Sequence, residues 1–177
     1  MDLFAFSEFA DEYQDWLEGS SSPRRAAWLD VQVSQLELGP VLAVEPDTPV
    51  RDAIGLMNDH HRGAVLVVAR QRLCGIFTER DVVRRVFARG VDLARTPLHE
   101  VMTRDPDTLE PSATLAQALR TMVRARYRHL PVVDGEGRPL AVASMHRIVQ
   151  FVCEAFPCEI WNAPPERPSG VLALDGA

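Results

Sequence analysis

A threonine and an aspartate three residues apart are the side chains whose types and spacing most suggest chemistry in this chain. Thr78 and Asp81 lie in the segment Gly75–Asp81, where an apolar strand pattern gives way to a helical one. A threonine followed by an acid at this spacing forms a capping box, which needs no ligand. The same helix N-terminus also offers unpaired N–H groups to a phosphate, and its carboxylate can accept hydrogen bonds from a ribose diol. Seven residues leave both interpretations open.

The elements that must position these side chains occur twice. The apolar pattern from residue 41 predicts the order β-α-β-β-α, and the same order restarts near residue 107. Residues 53–57 match residues 118–122, and Thr78 falls on Ser144. In the second copy Arg147 takes the place of Asp81. Two copies that are each too small to bury a core should pack together as one globule.

The composition is that of an ordinary globular protein, with 46% apolar and 25% charged residues in 177. No apolar run approaches the roughly 18 residues of a membrane span. The acidic start, Met1-Asp2, does not resemble a signal peptide, so we expect a cytoplasmic protein without a membrane partner. Three cysteines at irregular spacing predict neither a disulfide framework nor a zinc site.

Charge is unevenly distributed along the chain. All 19 basic residues are arginines. Residues 1–40 carry a net charge of −6, residues 41–150 carry +3 and residues 151–177 carry −3. A mildly basic centre between acidic ends favours a small anionic ligand and argues against nucleic acid, which would need a basic stripe.

The repeats are flanked by two different segments. Residues 1–18 combine an aromatic stripe with an acidic face and predict an amphipathic helix, which a Gly-Ser-Pro segment ends. The proline-rich tail is typical of an arm. These patterns divide the chain into an N-terminal extension (1–40), a first repeat (41–89), a linker (90–106), a second repeat (107–155) and a C-terminal arm (156–177).

The chain resembles a tandem pair of cystathionine β-synthase (CBS) domains, often called a Bateman module. The resemblance rests on the doubled unit and on the segments Gly75–Asp81 and Arg128–Asp134. The resemblance covers roughly residues 41–155. It implies an α/β fold in which two β-α-β-β-α repeats are related by a pseudo-twofold axis. It also implies a homodimer formed through helices, for which the candidate apolar residues are Val82, Val83, Val86, Ile148, Val149 and Phe151.

Proteins that this chain resembles bind adenosine compounds in the clefts between the repeats. The resemblance therefore implies AMP, ADP, ATP or S-adenosylmethionine as a ligand, with no covalent cofactor and no metal. Thr78 and Asp81 would supply a hydroxyl and a ribose-binding carboxylate. The residues implied for this cleft are Gly75, Thr78, Asp81, Thr108, Leu109, Arg128, His129 and Pro131.

The second cleft departs from the family pattern. Its implied residues are Arg62, Ala64, Ser144 and Arg147. An arginine cannot accept hydrogen bonds from a ribose diol, so Arg147 would contact phosphate or pair with Asp81 or Glu79. We therefore expect one competent adenosine site in a regulatory module that acts on a partner protein.

A non-catalytic structural dimerisation or adaptor module without a physiological ligand is the alternative. Enzyme interpretations have less support, because no nucleophile and base stand at an informative spacing. Adjacent His60 and His61 on a helix point in different directions, which argues against a shared metal. No catalytic residue is predicted.

Overall fold

The structure is a computed structural model that describes residues 27–155. The predicted helix over residues 1–18 and the C-terminal arm lie outside these residues. The first repeat contains β1 (Ala43–Val44), α1 (Val50–Asp59), β2 (Ala64–Ala69), β3 (Arg72–Thr78) and the helical segment α2, which begins at Glu79 and ends at Arg89. After β4 (Thr103–Arg104), the second repeat contains α3 (Leu115–Ala125), β5 (His129–Val133), β6 (Pro139–Ser144) and α4 (Met145–Ala155).

The strands form two sheets, one in each repeat, which confirms the predicted α/β class. The first sheet has the order β1-β2-β3-β4, with β1 parallel to β2 and the other neighbours antiparallel. The second sheet contains the antiparallel pair β5-β6, and Leu109 adds a parallel bridge to Val132. That bridge is the counterpart of the pairing between Val44 and Val67, 65 residues earlier. The repeat seen in the sequence is therefore also a repeat of strand pairing.

Each repeat is completed by the segment that precedes the other repeat in the chain. The amide of Val50 donates to the carbonyl of Thr96 (3.0 Å), and the equivalent amide of Leu115 donates to Val31 (2.9 Å). Short 3-10 turns at Leu98–Glu100 and Val33–Gln35 occupy matching places. Because contacts with matching partners recur in both repeats, the two halves are related by a pseudo-twofold axis.

The cores show why these segments are needed. In the first repeat, Leu98 and Val101 are buried with the residues of α1, β2 and β3. In the second repeat, Val33, Leu36 and Leu38 are buried with the residues of α3, β5 and α4. The sequence division placed residues 33–38 in an N-terminal extension and residues 98–101 in a linker, whereas both segments supply core side chains. Burying large aliphatic side chains contributes about 1.5–3 kcal/mol each.

The segment after the Gly75–Asp81 motif is less regular than predicted. It begins as one α-helical turn (Glu79–Asp81), continues as a π-helix (Val82–Val86) and ends in a 3-10 turn (Phe87–Arg89). Wide π turns are found frequently at functional sites. The irregular region lies directly beside the cleft described below, so it sets where the side chains of Arg84 and Arg85 are placed.

Gly75 has a packing role at the centre of the first sheet. A Cβ atom at this position would meet the Met102 sulfur and would lie 3.0 Å from the carbonyl oxygen of Thr103. Gly75 pairs with Arg104 across β3 and β4, so the neighbouring chain approaches here. The glycine therefore permits the short strand β4 to pair closely with β3.

Candidate functional site

The side chains of Thr78 and Asp81 form a capping box at the start of α2. The Asp81 Oδ2 atom accepts hydrogen bonds from the Thr78 amide (3.0 Å) and the Thr78 hydroxyl (2.7 Å). The Asp81 amide in turn donates to Thr78 Oγ1 (3.4 Å). The cap predicted from the spacing is therefore present, and it fixes the direction of the carboxylate.

The other carboxylate oxygen of Asp81 is held more loosely. Arg85 Nε lies 3.4 Å from Asp81 Oδ1, and Thr103 Oγ1 donates to the same atom at 3.4 Å. Both distances are long for hydrogen bonds, whereas the two contacts of Oδ2 are short. Asp81 is only 6% exposed and is the one buried charged residue among residues 28–155. Oδ1 is therefore the atom with remaining capacity to accept a hydrogen bond from a ligand.

Arg85 connects this carboxylate to the segment between the repeats. Its Nη1 donates to the carbonyl oxygen of Val101 at 3.2 Å and also to that of Met102. Asp81, Arg85 and the chain at residues 101–102 thus form one connected group, and a ligand that contacts Asp81 Oδ1 would contact the same group.

Asp81 faces a cleft of about 570 Å³ between the two repeats. Five arginines and three acids line it, so its formal charge is +2. Arg80 crosses the cleft, because its Nη1 donates to the carbonyl oxygen of Arg126 at 2.6 Å. Tyr127 and Pro106 add apolar surface. The charged lining residues are Arg80, Arg84, Arg85, Arg126, Arg128, Glu79, Asp81 and Asp107.

A wall made by Gly63, Glu79 and His129 separates this cleft from a second one. A Cβ atom on Gly63 would lie 3.0 Å from the His129 ring and 3.3 Å from the Glu79 carboxyl carbon. Burial lowers the pKa of His129 below its ordinary value; Glu79 opposes the shift and Arg128 adds to it. All four residues line both clefts. The wall is therefore thin, and the two clefts are neighbours.

The second cleft has a volume of about 330 Å³, and the N-terminus of α4 forms part of its lining. Ser144 repeats the capping role of Thr78, since its hydroxyl accepts a hydrogen bond from the Arg147 amide (3.2 Å). Arg147 does not pair with Asp81 or Glu79, which corrects the ion-pair interpretation. Its Nη1 donates to Gln150 Oε1 (2.7 Å), and its Nη2 donates to the carbonyl oxygen of Glu37.

The structure brings part of the predicted set together. Four residues predicted for the first cleft line it, namely Thr78, Asp81, Arg128 and His129. All four predicted for the second cleft line that one, namely Arg62, Ala64, Ser144 and Arg147.

The remaining predicted residues lie outside the linings of both clefts, for physical reasons. Gly75 is buried against Met102. Leu109 and Pro131 join through a backbone hydrogen bond of 2.9 Å within the second repeat and are buried there. Thr108 is exposed one residue before that pairing.

Sequence reasoning predicted Arg128 for the first cleft but missed its other four arginines. Arg80 and Arg84 follow the motif at helical spacing and could have been found from it. Arg126 lies beyond the C-terminus of α3 with a left-handed backbone (φ 56°), a position that only the fold reveals. Within residues 27–155, no group of three or more histidine, cysteine or acidic side chains is arranged to hold a metal, and no helix is long and apolar enough to cross a membrane.

Comparison with known proteins decides the family. The sequence model of the CBS domain matches residues 33–88 and 98–154. The chain belongs to the CBS domain family. Both matched ranges include residues that the sequence division had placed outside the repeats, in agreement with the packing of residues 33–38 and 98–101.

Individual proteins resemble the chain over more than half of its length. It is 27% identical to an uncharacterized 17.7 kDa protein of Acidianus ambivalens, over 78% of this chain and 83% of the relative. It is 32% identical to the CBS domain-containing protein CBSCBSPB1 of Arabidopsis thaliana over 65% of this chain, but it spans only 21% of that relative's length.

Two solved structures share the fold of this CBS pair. A putative signal-transduction protein with CBS domains from Burkholderia ambifaria is 34% identical, with a TM-score of 0.65 over 70% of this chain and 95% of that one. A CBS domain protein from Pyrobaculum aerophilum, complexed with AMP, is 23% identical, with a TM-score of 0.63 over 75% of this chain and 100% of that one. At that identity the second likeness shows the fold alone.

Proposed function

We propose that this chain is a cytoplasmic CBS-pair module that binds an adenine nucleotide in its first cleft and regulates a partner protein. The observation that carries the proposal is Asp81, whose Oδ2 is engaged by its own helix cap while Oδ1 has only long contacts. A ribose hydroxyl that donates to Oδ1 would replace contacts of 3.4 Å with a charge-assisted hydrogen bond. The ligand class agrees with the AMP in the Pyrobaculum aerophilum protein, which shares this fold.

The charge of the cleft bears on which adenosine compound binds. A formal charge of +2 attracts phosphate groups and repels the sulfonium cation of S-adenosylmethionine. Arginine suits phosphate because its planar guanidinium donates two parallel hydrogen bonds. We therefore place the nucleotides AMP, ADP and ATP ahead of S-adenosylmethionine as ligands of the first cleft.

Calorimetric titration with adenosine, AMP, ADP, ATP and S-adenosylmethionine tests this function. We expect one nucleotide per chain, with affinity that rises when phosphate is added to adenosine. GTP serves as the control for the base. Two equivalent nucleotide sites per chain, or no binding by any of the five compounds at millimolar concentration, would contradict the proposal.

A structural dimerisation module is the second candidate, and exposed apolar side chains favour it. Phe87 is 85% exposed, Val83 is 63% exposed and Val149 is 53% exposed. Two other residues that the sequence placed on the dimer surface, Val86 and Ile148, lie in the cores of their own repeats and cannot contribute to it. A monomer by light scattering at tens of micromolar, for the wild type, would exclude this candidate; a dimer that dissociates in Phe87→Ser would support it.

A further inference from the structure

We propose that the second cleft binds a phosphate-type anion that carries no ribose, such as pyrophosphate. Its lining has no acid at the position where the first repeat has Asp81. Where the first repeat has Asp81, the second has Arg147, which donates hydrogen bonds and accepts none. The one carboxylate in the lining, Glu79, belongs to the wall beside the His129 ring. Three arginines against this one acid therefore favour an anionic ligand in the cleft.

The cations of the second cleft come from three different parts of the fold. Arg62 follows α1, Arg128 precedes β5 and Arg147 lies in the first turn of α4. With Glu79 as the single acid, the formal charge of the lining is +2. Within residues 27–155, the guanidinium groups of Arg62 and Arg128 have no hydrogen-bond or ion-pair partner. Two guanidinium groups without a hydrogen-bonded anionic partner in one small cleft repel each other, and a bound anion would offset this repulsion.

Arg147 is oriented without being neutralised. Its Nη1 and Nη2 atoms donate to uncharged oxygens, those of the Gln150 side chain and of the Glu37 backbone. The Glu37 carboxylate is 3.9 Å away and its side chain is 97% exposed, so water screens that pair. A guanidinium has five N–H donors, which leaves donors for an anion in the cleft. The backbone contact also brings residues 37–40 to the cleft, where Leu38 and Pro40 line its edge.

The two clefts share Arg128, so their ligands interact. A phosphate anion in the second cleft attracts the same guanidinium that a nucleotide phosphate in the first cleft would contact. Two anions separated by a wall of Gly63, Glu79 and His129 also repel each other. Pyrophosphate therefore lowers nucleotide affinity, and the nucleotide lowers pyrophosphate affinity by the same factor.

Titration of the intact chain with inorganic pyrophosphate at low ionic strength tests the proposal. We expect one bound pyrophosphate per chain. Arg62→Gln should weaken it by about 10-fold to 100-fold, since a hydrogen bond to a charged group is lost. Arg120→Gln, which makes the same charge change on the exposed side of α3, should leave the affinity unchanged. Arg147→Gln is the second cleft variant, and thermal melting of each variant checks that it is folded.

Variants of the first cleft separate the two sites. Asp81→Asn should leave pyrophosphate affinity unchanged, because that carboxylate does not line the second cleft. The proposal is overturned if the wild type binds no pyrophosphate at millimolar concentration, or if Arg84→Gln abolishes binding while Arg62→Gln does not. The wild type could also bind pyrophosphate but no nucleotide. If Arg62→Gln then abolished pyrophosphate binding, this proposal would be sustained and the nucleotide function refuted.

The source of the phosphate is resolved by comparing AMP with ATP in Arg62→Gln. If the phosphates of a nucleotide bound in the first cleft reach Arg62, this variant lowers the affinity for ATP and leaves the affinity for AMP unchanged. If the anion is free, both nucleotides bind Arg62→Gln as they bind the wild type, and pyrophosphate alone is lost. The second pattern supports the proposal. The first contradicts it, because the phosphate at Arg62 then belongs to the nucleotide, and equal loss of AMP and ATP also contradicts it, because that residue would then act through the first cleft.

Discussion

Replacing Asp81 with asparagine separates the ligand-binding role of this residue from its structural role. The amide oxygen of asparagine can still accept the two capping hydrogen bonds from Thr78, now made at 3.0 and 2.7 Å. The amide nitrogen then takes the place of Oδ1, where it offers a donor to a ribose hydroxyl and faces the guanidinium of Arg85. Asp81→Asn therefore removes the charged acceptor while keeping the cap.

The expected loss of nucleotide affinity follows from that single change. Hydrogen bonds to charged groups contribute roughly 1.5–3 kcal/mol, so the dissociation constant should rise about 10-fold to 150-fold. Asp81→Ala should lose the same affinity and also the cap, at a further cost of about 1 kcal/mol in the free energy of unfolding. That difference corresponds to a melting temperature lower by about 2–4 °C than in the asparagine variant.

Calorimetry with AMP and ATP measures the affinity, and differential scanning fluorimetry without ligand measures the melting temperature. Asp59→Asn is the matched control, since this acid is exposed at the end of α1 and lines neither cleft. Wild-type affinity in Asp81→Asn would refute the reasoning, because the carboxylate would then serve the helix cap alone. An asparagine variant as unstable as the alanine variant would refute the assignment of the cap to Oδ2.

Three further outcomes follow from the same geometry. Arg128→Gln should lose little affinity for adenosine, more for AMP and most for ATP, measured by calorimetry, because its guanidinium is expected to contact the phosphates and not the nucleoside. Gly75→Ala should lower the free energy of unfolding by about 1–3 kcal/mol in urea titrations, since its Cβ would collide with Met102 and the Thr103 carbonyl. Burial lowers the pKa of His129 below 6.5, so just under that pH the unfolded chain binds more protons and stability falls as the pH decreases. His129→Gln should flatten this dependence in urea titrations from about pH 8 to pH 5.

The sequence was sufficient to predict the two repeats and most of their helices and strands, because these depend on local patterns of apolar residues. Apolar runs identified β2, β3, β5 and β6, and helical periodicity identified α1 and α3. The helix cap could also be predicted, since it depends on two residues three positions apart. What local patterns could not show is which segment fills which core. Val33 packs with Leu115, 82 positions later, and no periodicity within residues 27–40 records that contact.

The cleft linings were predictable only in part, for a related reason. Thr78 and Asp81 belong to one turn, whereas Arg126 reaches the first cleft because α3 ends in a left-handed residue there. The contact between Arg147 and Glu37 spans 110 positions. A family pattern could report that Arg147 departs from the expected acid, but only the fold shows what this arginine contacts instead.

The departure at Arg147 has a structural counterpart in the first repeat. Arg85 holds the carbonyl of Met102, and the position equivalent to Met102 in the second repeat is Glu37, 65 residues earlier. The residue that falls on Arg85 is Phe151, which has no donor. Arg147, one turn before Phe151 on α4, donates to the Glu37 carbonyl and so holds the chain segment that completes its repeat.

In both repeats an arginine donates to the backbone of the segment that completes the core, but the two arginines occupy different helical positions. The difference in position has different consequences for ligands. In the first repeat the arginine lies one turn after the acid, so Asp81 remains available to a ribose. In the second repeat the arginine occupies the position of the acid itself, so the segment is held and the ribose acceptor is lost. The asymmetry of the two clefts thus follows from where each repeat places its segment-holding arginine, and reversing it would require Arg147→Asp together with Phe151→Arg.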